Sequence, residues 1–173
     1  MAPLFRDRFK EEETWETMYE ALVATGVSYV TPKDASNKRG AVMLDVRLED
    51  AQAERRIPRA VSAALYRPIQ GKDVFANIRR AAFAFFAIAG TERNPEWLNQ
   101  VQAAVKGNKG AEIICVCERG GSLENKPGMK LGFQSRSLKA VYLLRQAGYR
   151  NVKVLDGGMY RWAREDLPTV SDV

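Results

Sequence analysis

The sequence predicts an α/β fold in which a mostly parallel sheet is covered by helices on both faces. Short apolar segments alternate along the chain with stretches of helical periodicity, and this order of elements is typical of parallel sheets. Two apolar segments, residues 41–46 and 113–117, are nearly continuous, as expected for strands buried on both faces. The chain has 173 residues, which is enough for one domain with a core and too few for two of ordinary size.

The first half of the chain is expected to form two helices around one buried strand. Acidic residues at 11–13 precede apolar residues at helical spacing, which indicates the start of an amphipathic helix. Pro58 limits the second helix, because the residue before a proline disfavours helical backbone. In chain order we predict a helix ending near Gly26, a polar turn over 31–40, a strand over 41–46, a helix over 48–55, and a short strand with a loop over 60–71.

The second half is expected to form four helices and two strands. Gly90 and Gly148 each follow a helical pattern, at the position where glycine commonly ends a helix. For the helix that follows Gly90, Asn94 offers an N-cap and Pro95 a proline at the first helical position. In chain order we predict helices over 73–89 and 95–106, a strand over 113–117, a loop over 118–133, a helix over 134–147, a strand over 151–155 and a helix over 159–165.

The composition removes several classes of site. The chain has no histidine, which excludes histidine-dependent catalytic triads and most zinc centres, so any nucleophile must be activated without one. The two cysteines, Cys115 and Cys117, would lie on the same side of a strand about 6.7 Å apart, which is too far for a disulfide. A reducing compartment fits this usage best. We therefore expect no metal and no cofactor.

The net charge of +6 does not predict a nucleic-acid partner, because the basic residues are scattered among 21 acidic ones. No apolar run approaches the roughly 20 residues of a membrane span. Residues 1–5 do not form a legible signal or transit peptide.

Cys117 stands where an apolar strand runs into a glycine turn, and this is the most informative position in the chain. The carboxyl ends of strands are where α/β sheets place their ligands. Backbone N–H groups of residues 118–121, together with a helix start at 134–137, could stabilise a thiolate there. The pattern indicates a site for sulfur chemistry. An inert buried cysteine is the alternative, and Cys115, inside the strand, is expected to belong to the core.

Several segments together resemble a rhodanese domain, and the likeness spans residues 28–168. They are Leu-Asp-Val-Arg at 44–47, Arg-Ile-Pro-Arg-Ala at 56–60, Cys117, Arg-Ser at 136–137, Ala-Gly-Tyr-Arg-Asn-Val at 147–152 and Leu-Asp-Gly-Gly-Met-Tyr-Arg-Trp at 155–162. On this basis residues 1–27 are an N-terminal extension with an amphipathic helix, and residues 169–173 are a C-terminal tail.

Two features depart from the common rhodanese pattern. Rhodaneses usually have His-Ile-Pro-Gly-Ala at the segment that here occupies 56–60. Arg136 follows Cys117 by nineteen positions, whereas this loop is much shorter in most rhodaneses. The long loop and the segment 85–96 resemble the single-domain chloroplast rhodanese-like proteins of plants and algae. That resemblance implies a plastid protein, in the stroma or peripheral to the thylakoid.

The resemblance also implies a function and a set of roles. Rhodaneses take a sulfane sulfur from a small anionic donor such as thiosulfate, hold it on the cysteine as a persulfide and pass it to a thiol or to cyanide. This reaction requires a stabilised thiolate and does not require a histidine. The implied roles are catalysis for Cys117, substrate binding for Arg136, Ser137, Arg119, Gly120 and Gly121, and a structural ion pair or hydrogen-bond hub, rather than a catalytic acid, for Asp45 and Arg47.

Two other functions stay open from the sequence. One is a rhodanese-fold binding or scaffold subunit of a thylakoid or other plastid assembly, for which the 118–133 loop would be available to a partner. The other is phosphatase chemistry on the same fold, which the longer loop favours and the lack of a compact loop between Cys117 and Arg136 opposes.

Overall fold

The computed structural model describes residues 13–70, 74–85 and 90–173, and for residues 82–85 it describes the backbone alone. The predicted α/β class is confirmed. The strands of the main sheet are β1 (Ser28–Val30), β2 (Val42–Asp45), β3 (Val61–Ser62), β6 (Ile113–Val116) and β7 (Val152–Leu155). They are all parallel and lie in the order β1-β7-β6-β2-β3. A separate antiparallel pair consists of β4 (Tyr66–Pro68) and β5 (Thr91–Arg93).

Seven helices are assigned in the described ranges, and both faces of the sheet are packed against helices. They are α1 (Trp15–Thr25), α2 (Pro32–Asn37), α3 (Glu49–Glu54), α4 (Val74–Phe85), α5 (Trp97–Ala104), α6 (Arg136–Gln146) and α7 (Gly158–Arg164). Buried residues of α1, α5 and α6 share one core cluster, and those of α2 and α7 share the other. The central strand β6 is buried at every residue, as its continuous apolar sequence predicts.

The main difference from the sequence prediction is α2, which occupies part of the region expected to be a polar turn. The Thr31 hydroxyl accepts a hydrogen bond from the Asp34 N–H at 3.2 Å, and Pro32 occupies the first turn. This is a regular capped helix start. Its six residues are too short and too polar to produce a helical pattern of apolar residues, so periodicity alone misses it.

The strands β1, β4 and β5 were also not predicted as separate elements. Each has only three residues, which is too short for an alternating pattern to be recognised. The other predicted elements are present with their ends shifted by a few residues. The last part of the helix predicted over 73–89, residues 86–89, lies outside the described residues.

Both chain ends of the described region are integrated into the domain. Met18 and Leu22 of α1 are each 1% exposed and belong to the same core cluster as α6. Val170 exchanges two backbone hydrogen bonds with Arg56, each of 2.9 Å. The helix of the predicted extension is therefore part of the core, and the tail is bound to the body. Residues 1–12 lie outside the described residues.

No helix in the described ranges combines the length and the apolar character needed to cross a membrane.

Candidate active site at the carboxyl edge of the sheet

Cys117 directly follows β6 and sits in a turn whose backbone reaches back to its sulfur. The Gly120 N–H donates to the Cys117 Sγ at 3.2 Å, and the residue is 3% exposed. The turn therefore places a backbone hydrogen-bond donor directly at the Cys117 sulfur. Cys115, two residues earlier, is fully buried inside β6. Burial, with a smaller contribution from the charge of Cys117, raises the pKa of the Cys115 thiol well above its usual range.

Gly120 and Gly121 hold this turn in a conformation that other residues disfavour. Their φ angles are 80° and 78°. A Cβ on Gly120 would lie 2.7 Å from the Leu155 carbonyl oxygen, and one on Gly121 would lie 2.5 Å from the Ser135 Oγ. The two glycines therefore let the turn pack directly against β7 and the start of α6.

Gly120→Ala should accordingly displace the N–H that faces the cysteine. Left-handed backbone alone costs about 1–2 kcal/mol for a residue with a Cβ, and the clash with a backbone oxygen adds to that. We expect a lower melting temperature and slower reaction of the Cys117 thiol with iodoacetamide.

Gly128→Ala is the matched control. Its φ is 79° and a Cβ there meets nothing within 4 Å. It should show the backbone penalty without the loss of thiol reactivity. Equal thiol reactivity in the two variants would contradict the role assigned to the Gly120 N–H.

Ser135 joins the glycine turn to α6, and we did not predict it as a site residue. Its hydroxyl donates to the Gly120 carbonyl at 2.8 Å and accepts from the Leu138 N–H at 3.0 Å, which makes it the N-cap of the helix. A serine just before a helical pattern is a recognisable cap signal. Its second bond, across fifteen residues, has no signal in the sequence.

Ser137 was predicted to bind substrate, and the structure places it elsewhere. It is fully buried, and its hydroxyl donates to the Cys115 carbonyl at 3.2 Å. A side chain with no exposed surface cannot contact a ligand in the cavity. In this position it ties α6 to β6.

Residues 122–133 of the 118–133 loop form a hairpin. Ser122 and Phe133 pair through two backbone hydrogen bonds, and Lys126 and Met129 do the same nearer the tip. The loop also rests on α1, because the Trp15 indole N–H donates to the Leu131 carbonyl at 2.9 Å.

A second contact with α1 fixes the other strand of the hairpin. The Tyr19 hydroxyl donates to the Leu123 carbonyl at 3.0 Å and lies 3.1 Å from the Asn125 Oδ1. The same Asn125 Oδ1 accepts from the Gly132 N–H at 3.1 Å. The N-terminal helix therefore supports the loop that forms one wall of the site.

A cavity of about 640 Å³ opens in front of Cys117 and carries an excess of positive charge. Arg136 and Lys139 both line it, since residues three apart share one face of a helix. The Lys139 Nζ also lies 3.1 Å from the Tyr66 hydroxyl. The lining residues are Tyr66, Thr91, Cys117, Glu118, Arg119, Phe133, Gln134, Ser135, Arg136 and Lys139. Three cations against one carboxylate favour an anionic ligand.

Asp45 and Arg47 form a buried ion pair behind the cysteine turn. The Arg47 Nη2 lies 2.8 Å from the Asp45 Oδ2, and the side chains of Arg47 and Asp45 are 4% and 1% exposed, respectively. Burial alone would lower the pKa of Arg47, and the hydrogen bond and charge of Asp45 raise it instead. Neither residue lines the cavity. The structural role of the two residues stays a prediction, which Asp45→Ala tests in the Discussion.

The ion pair connects three segments of the chain. The Arg47 Nη2 also donates to the Arg55 carbonyl at 2.6 Å, and the Arg47 Nη1 lies 3.4 Å from the Glu118 carboxylate. Gln52, which the sequence did not single out, donates to the Arg47 carbonyl at 2.7 Å and to the Asp45 carbonyl at 3.2 Å. The ends of β2 and α3 are thus tied to the residue that follows Cys117.

Cys117, with an N–H at its sulfur, therefore lies in a cavity with more cations than carboxylates, at the carboxyl edge of a parallel sheet. The chain belongs to the rhodanese-like domain family, whose model matches residues 31–165.

Relatives with curated names support this membership. The chain is 39% identical over 161 residues to rhodanese-like domain-containing protein 14, chloroplastic, of Arabidopsis thaliana, which covers 91% of this chain and 71% of the relative. It is 33% identical over 81 residues to thiosulfate sulfurtransferase 16, chloroplastic, of the same plant. That second match covers 47% of this chain and 54% of the relative.

Solved structures share the fold. A protein from Bacillus halodurans has a TM-score of 0.52 at 19% identity, over 92% of this chain and 88% of its own. Thiosulfate sulfurtransferase from Pseudomonas aeruginosa has a TM-score of 0.53 at 13% identity, over 92% of this chain and 23% of its own. At these identities the likeness concerns the fold.

Proposed function

We propose that this protein is a sulfurtransferase that carries a sulfane sulfur as a persulfide on Cys117 and passes it to a thiol or to cyanide. The observation that carries the proposal is the position of Cys117, with the Gly120 N–H at its sulfur and a cationic cavity in front of it. The name of one relative, a thiosulfate sulfurtransferase, supports the same activity.

The first half-reaction loads the cysteine. The Cys117 thiolate attacks the sulfane sulfur of thiosulfate, the S–S bond of the donor breaks, and sulfite leaves with the bonding electron pair. The Gly120 N–H stabilises the attacking thiolate. Arg136 holds the sulfonate oxygens, because a guanidinium offers charged hydrogen-bond donors in a planar fork.

The second half-reaction returns the cysteine to its starting state. A nucleophilic acceptor attacks the outer sulfur of the persulfide, the S–S bond to Cys117 breaks, and the Cys117 thiolate leaves. No external oxidant or reductant takes part in either half-reaction.

Arg136→Ala tests the proposed donor site. Loss of a charged hydrogen bond of about 1.5–3 kcal/mol should raise the KM for thiosulfate about tenfold or more in the thiocyanate-forming assay with cyanide. The melting temperature should change little, because Arg136 makes no ion pair with any described residue and a cation at a helix N-terminus is slightly unfavourable.

Arg145→Ala removes the same charge from the other end of α6 and serves as the control. Arg145 donates to the Thr25 hydroxyl and to the Gly26 carbonyl, each at 2.8 Å, so this variant should lose stability and keep its KM. An unchanged KM in Arg136→Ala would contradict the assignment of Arg136. A wild-type protein that forms no thiocyanate from thiosulfate and cyanide would contradict thiosulfate sulfurtransferase activity itself.

The location we propose is the plastid, in the stroma or at the periphery of the thylakoid. Two Arabidopsis thaliana relatives carry the word chloroplastic in their names. Import of a fluorescent fusion of the full-length protein into isolated chloroplasts, followed by fractionation, would test both the compartment and the association.

A binding role is the second candidate, and the hairpin favours it. Met129 and Phe133 are 43% and 46% exposed although they are large apolar side chains. Exposed apolar residues on a hydrogen-bonded hairpin suit a protein contact. If binding is the main role, the Cys117→Ser variant should co-purify with the same plastid assembly as the wild type. A variant with a shortened 122–132 loop should fail to co-purify with it.

A further inference from the structure

Two arginine guanidinium groups lie close to one tyrosine ring, next to the turn that follows Cys117. The Arg119 guanidinium carbon lies 4.5 Å from the Tyr160 ring centroid, and that of Arg164 lies 5.7 Å from it. These distances are those of cation–π contacts. The Tyr160 ring is itself 45% exposed, so the group lies at the surface. We call these three residues the Arg119–Tyr160–Arg164 strip.

Backbone hydrogen bonds join this strip to the turn that begins at Cys117. The Tyr160 N–H donates to the Glu118 carbonyl at 3.0 Å, and the Met159 N–H donates to the Cys117 carbonyl at 2.9 Å. The start of α7 is therefore fixed directly to the residues that hold the reactive sulfur. Arg119 also lines the cavity of Cys117, so the strip is continuous with that cavity.

The two arginines keep their hydrogen-bonding capacity. In the part of the chain that the structure describes, neither forms an ion pair. The neighbouring Arg161 differs, because it pairs with the carboxylates of Asp156 and Glu165. A guanidinium that stacks on a ring leaves its in-plane N–H groups available to a carboxylate. A hollow of about 400 Å³, lined in part by Tyr160 and Arg164, lies alongside.

We propose that the Arg119–Tyr160–Arg164 strip is the docking surface for an acidic protein segment that carries the acceptor thiol. The proposal rests on the sulfurtransferase function proposed above. Carboxylates beside the acceptor cysteine would bind Arg119 and Arg164, and the thiolate would then reach the outer sulfur of the Cys117 persulfide. Attack there breaks the S–S bond, forms the persulfide on the acceptor and releases the Cys117 thiolate.

The charges around the strip favour a peptide over a nucleic acid. The carboxylates of Glu118, Asp156 and Glu165 lie among the arginines, with side chains 54%, 44% and 33% exposed. A continuous phosphate backbone would be repelled by these carboxylates. A short peptide can place its few carboxylates on the two open guanidiniums and avoid them.

Binding can be measured without any sulfur chemistry. The probe is a fluorescein-labelled peptide with four glutamates around a central serine, compared with the same peptide carrying four glutamines. Fluorescence anisotropy with the full chain should give binding of the acidic peptide that weakens with added salt. Arg164→Glu should weaken this binding about fivefold or more, since it replaces an attraction with a repulsion.

Arg150→Glu is the control with the same charge change. Arg150 is exposed and lies just before β7, at the opposite edge of the parallel sheet from Cys117. It should bind the acidic peptide as the wild type does. Equal weakening in Arg150→Glu, or equal affinity for the glutamine peptide, would overturn the proposal. So would a polythymidine oligonucleotide that binds more tightly than the acidic peptide and is equally sensitive to Arg164→Glu.

Transfer provides the second measurement. Protein loaded with thiosulfate is mixed with the same peptides in which cysteine replaces the central serine, and the peptide persulfide is counted by mass spectrometry. Arg164→Glu should slow transfer to the acidic peptide about fivefold or more and leave both loading and transfer to cyanide unchanged. Failure of loading in the wild type would contradict the sulfurtransferase function, and the anisotropy result would still decide whether the strip binds acidic segments.

Discussion

Cys117→Ser should reduce thiosulfate-dependent thiocyanate formation to the level seen without protein. A serine hydroxyl is not ionised near neutral pH and cannot form a persulfide, so both half-reactions are lost together. The substitution exchanges one atom in a side chain that is 3% exposed, and the fold should survive it. Circular dichroism and the melting temperature check that the loss concerns chemistry and not folding.

Cys115→Ala separates the two cysteines. Cys115 is fully buried in β6, and burial raises the pKa of its thiol, so its thiolate is not available for attack. This variant should retain most of the turnover and lose some stability through the small cavity it creates. Equal loss of turnover in the two variants would contradict the assignment of Cys117 as the nucleophile.

Asp45→Ala should give the largest loss of stability among the variants considered. It leaves the buried Arg47 guanidinium without its counter-charge, and breaking a buried pair from one side typically costs about 3–5 kcal/mol. In a chain of 173 residues each kcal/mol lowers the melting temperature by about 2–4 °C. A fall of roughly 6–20 °C is therefore expected by calorimetry.

Two further variants sharpen this test. Asp156→Ala removes a carboxylate whose ion pair with Arg161 is exposed, and it should cost less than about 1 kcal/mol. Adding Arg47→Met to Asp45→Ala removes the orphaned charge and should restore part of the lost stability. A native melting temperature in Asp45→Ala, together with lost activity, would instead make Asp45 part of the catalytic chemistry.

The sequence was sufficient for the class of fold because its signals are local. The continuous apolar run of β6 and the glycine that ends α6 indicate a strand and a helix without knowledge of their neighbours. The position of Cys117 at the end of β6, and of Arg136 at the start of α6, follows from the same local patterns.

The contacts that complete the site connect distant residues and could not be predicted from the sequence. Trp15 and Tyr19 donate hydrogen bonds to carbonyls of the long loop, more than a hundred residues away in the sequence. No local sequence pattern predicts these contacts. Ser137 was assigned to substrate by resemblance, yet its fully buried hydroxyl bonds to the Cys115 carbonyl because α6 packs directly on β6. Gln52 and Ser135 were missed since their partners lie on other elements.

Mass spectrometry of the purified protein after treatment with thiosulfate tests the central claim most directly. The intact mass should rise by about 32 Da, the mass of one sulfur atom, and fall back after cyanide is added. Peptide mapping should place the added sulfur on Cys117 and not on Cys115. An unchanged mass in the wild-type protein, or an adduct that persists in Cys117→Ser, would contradict a persulfide carried on Cys117.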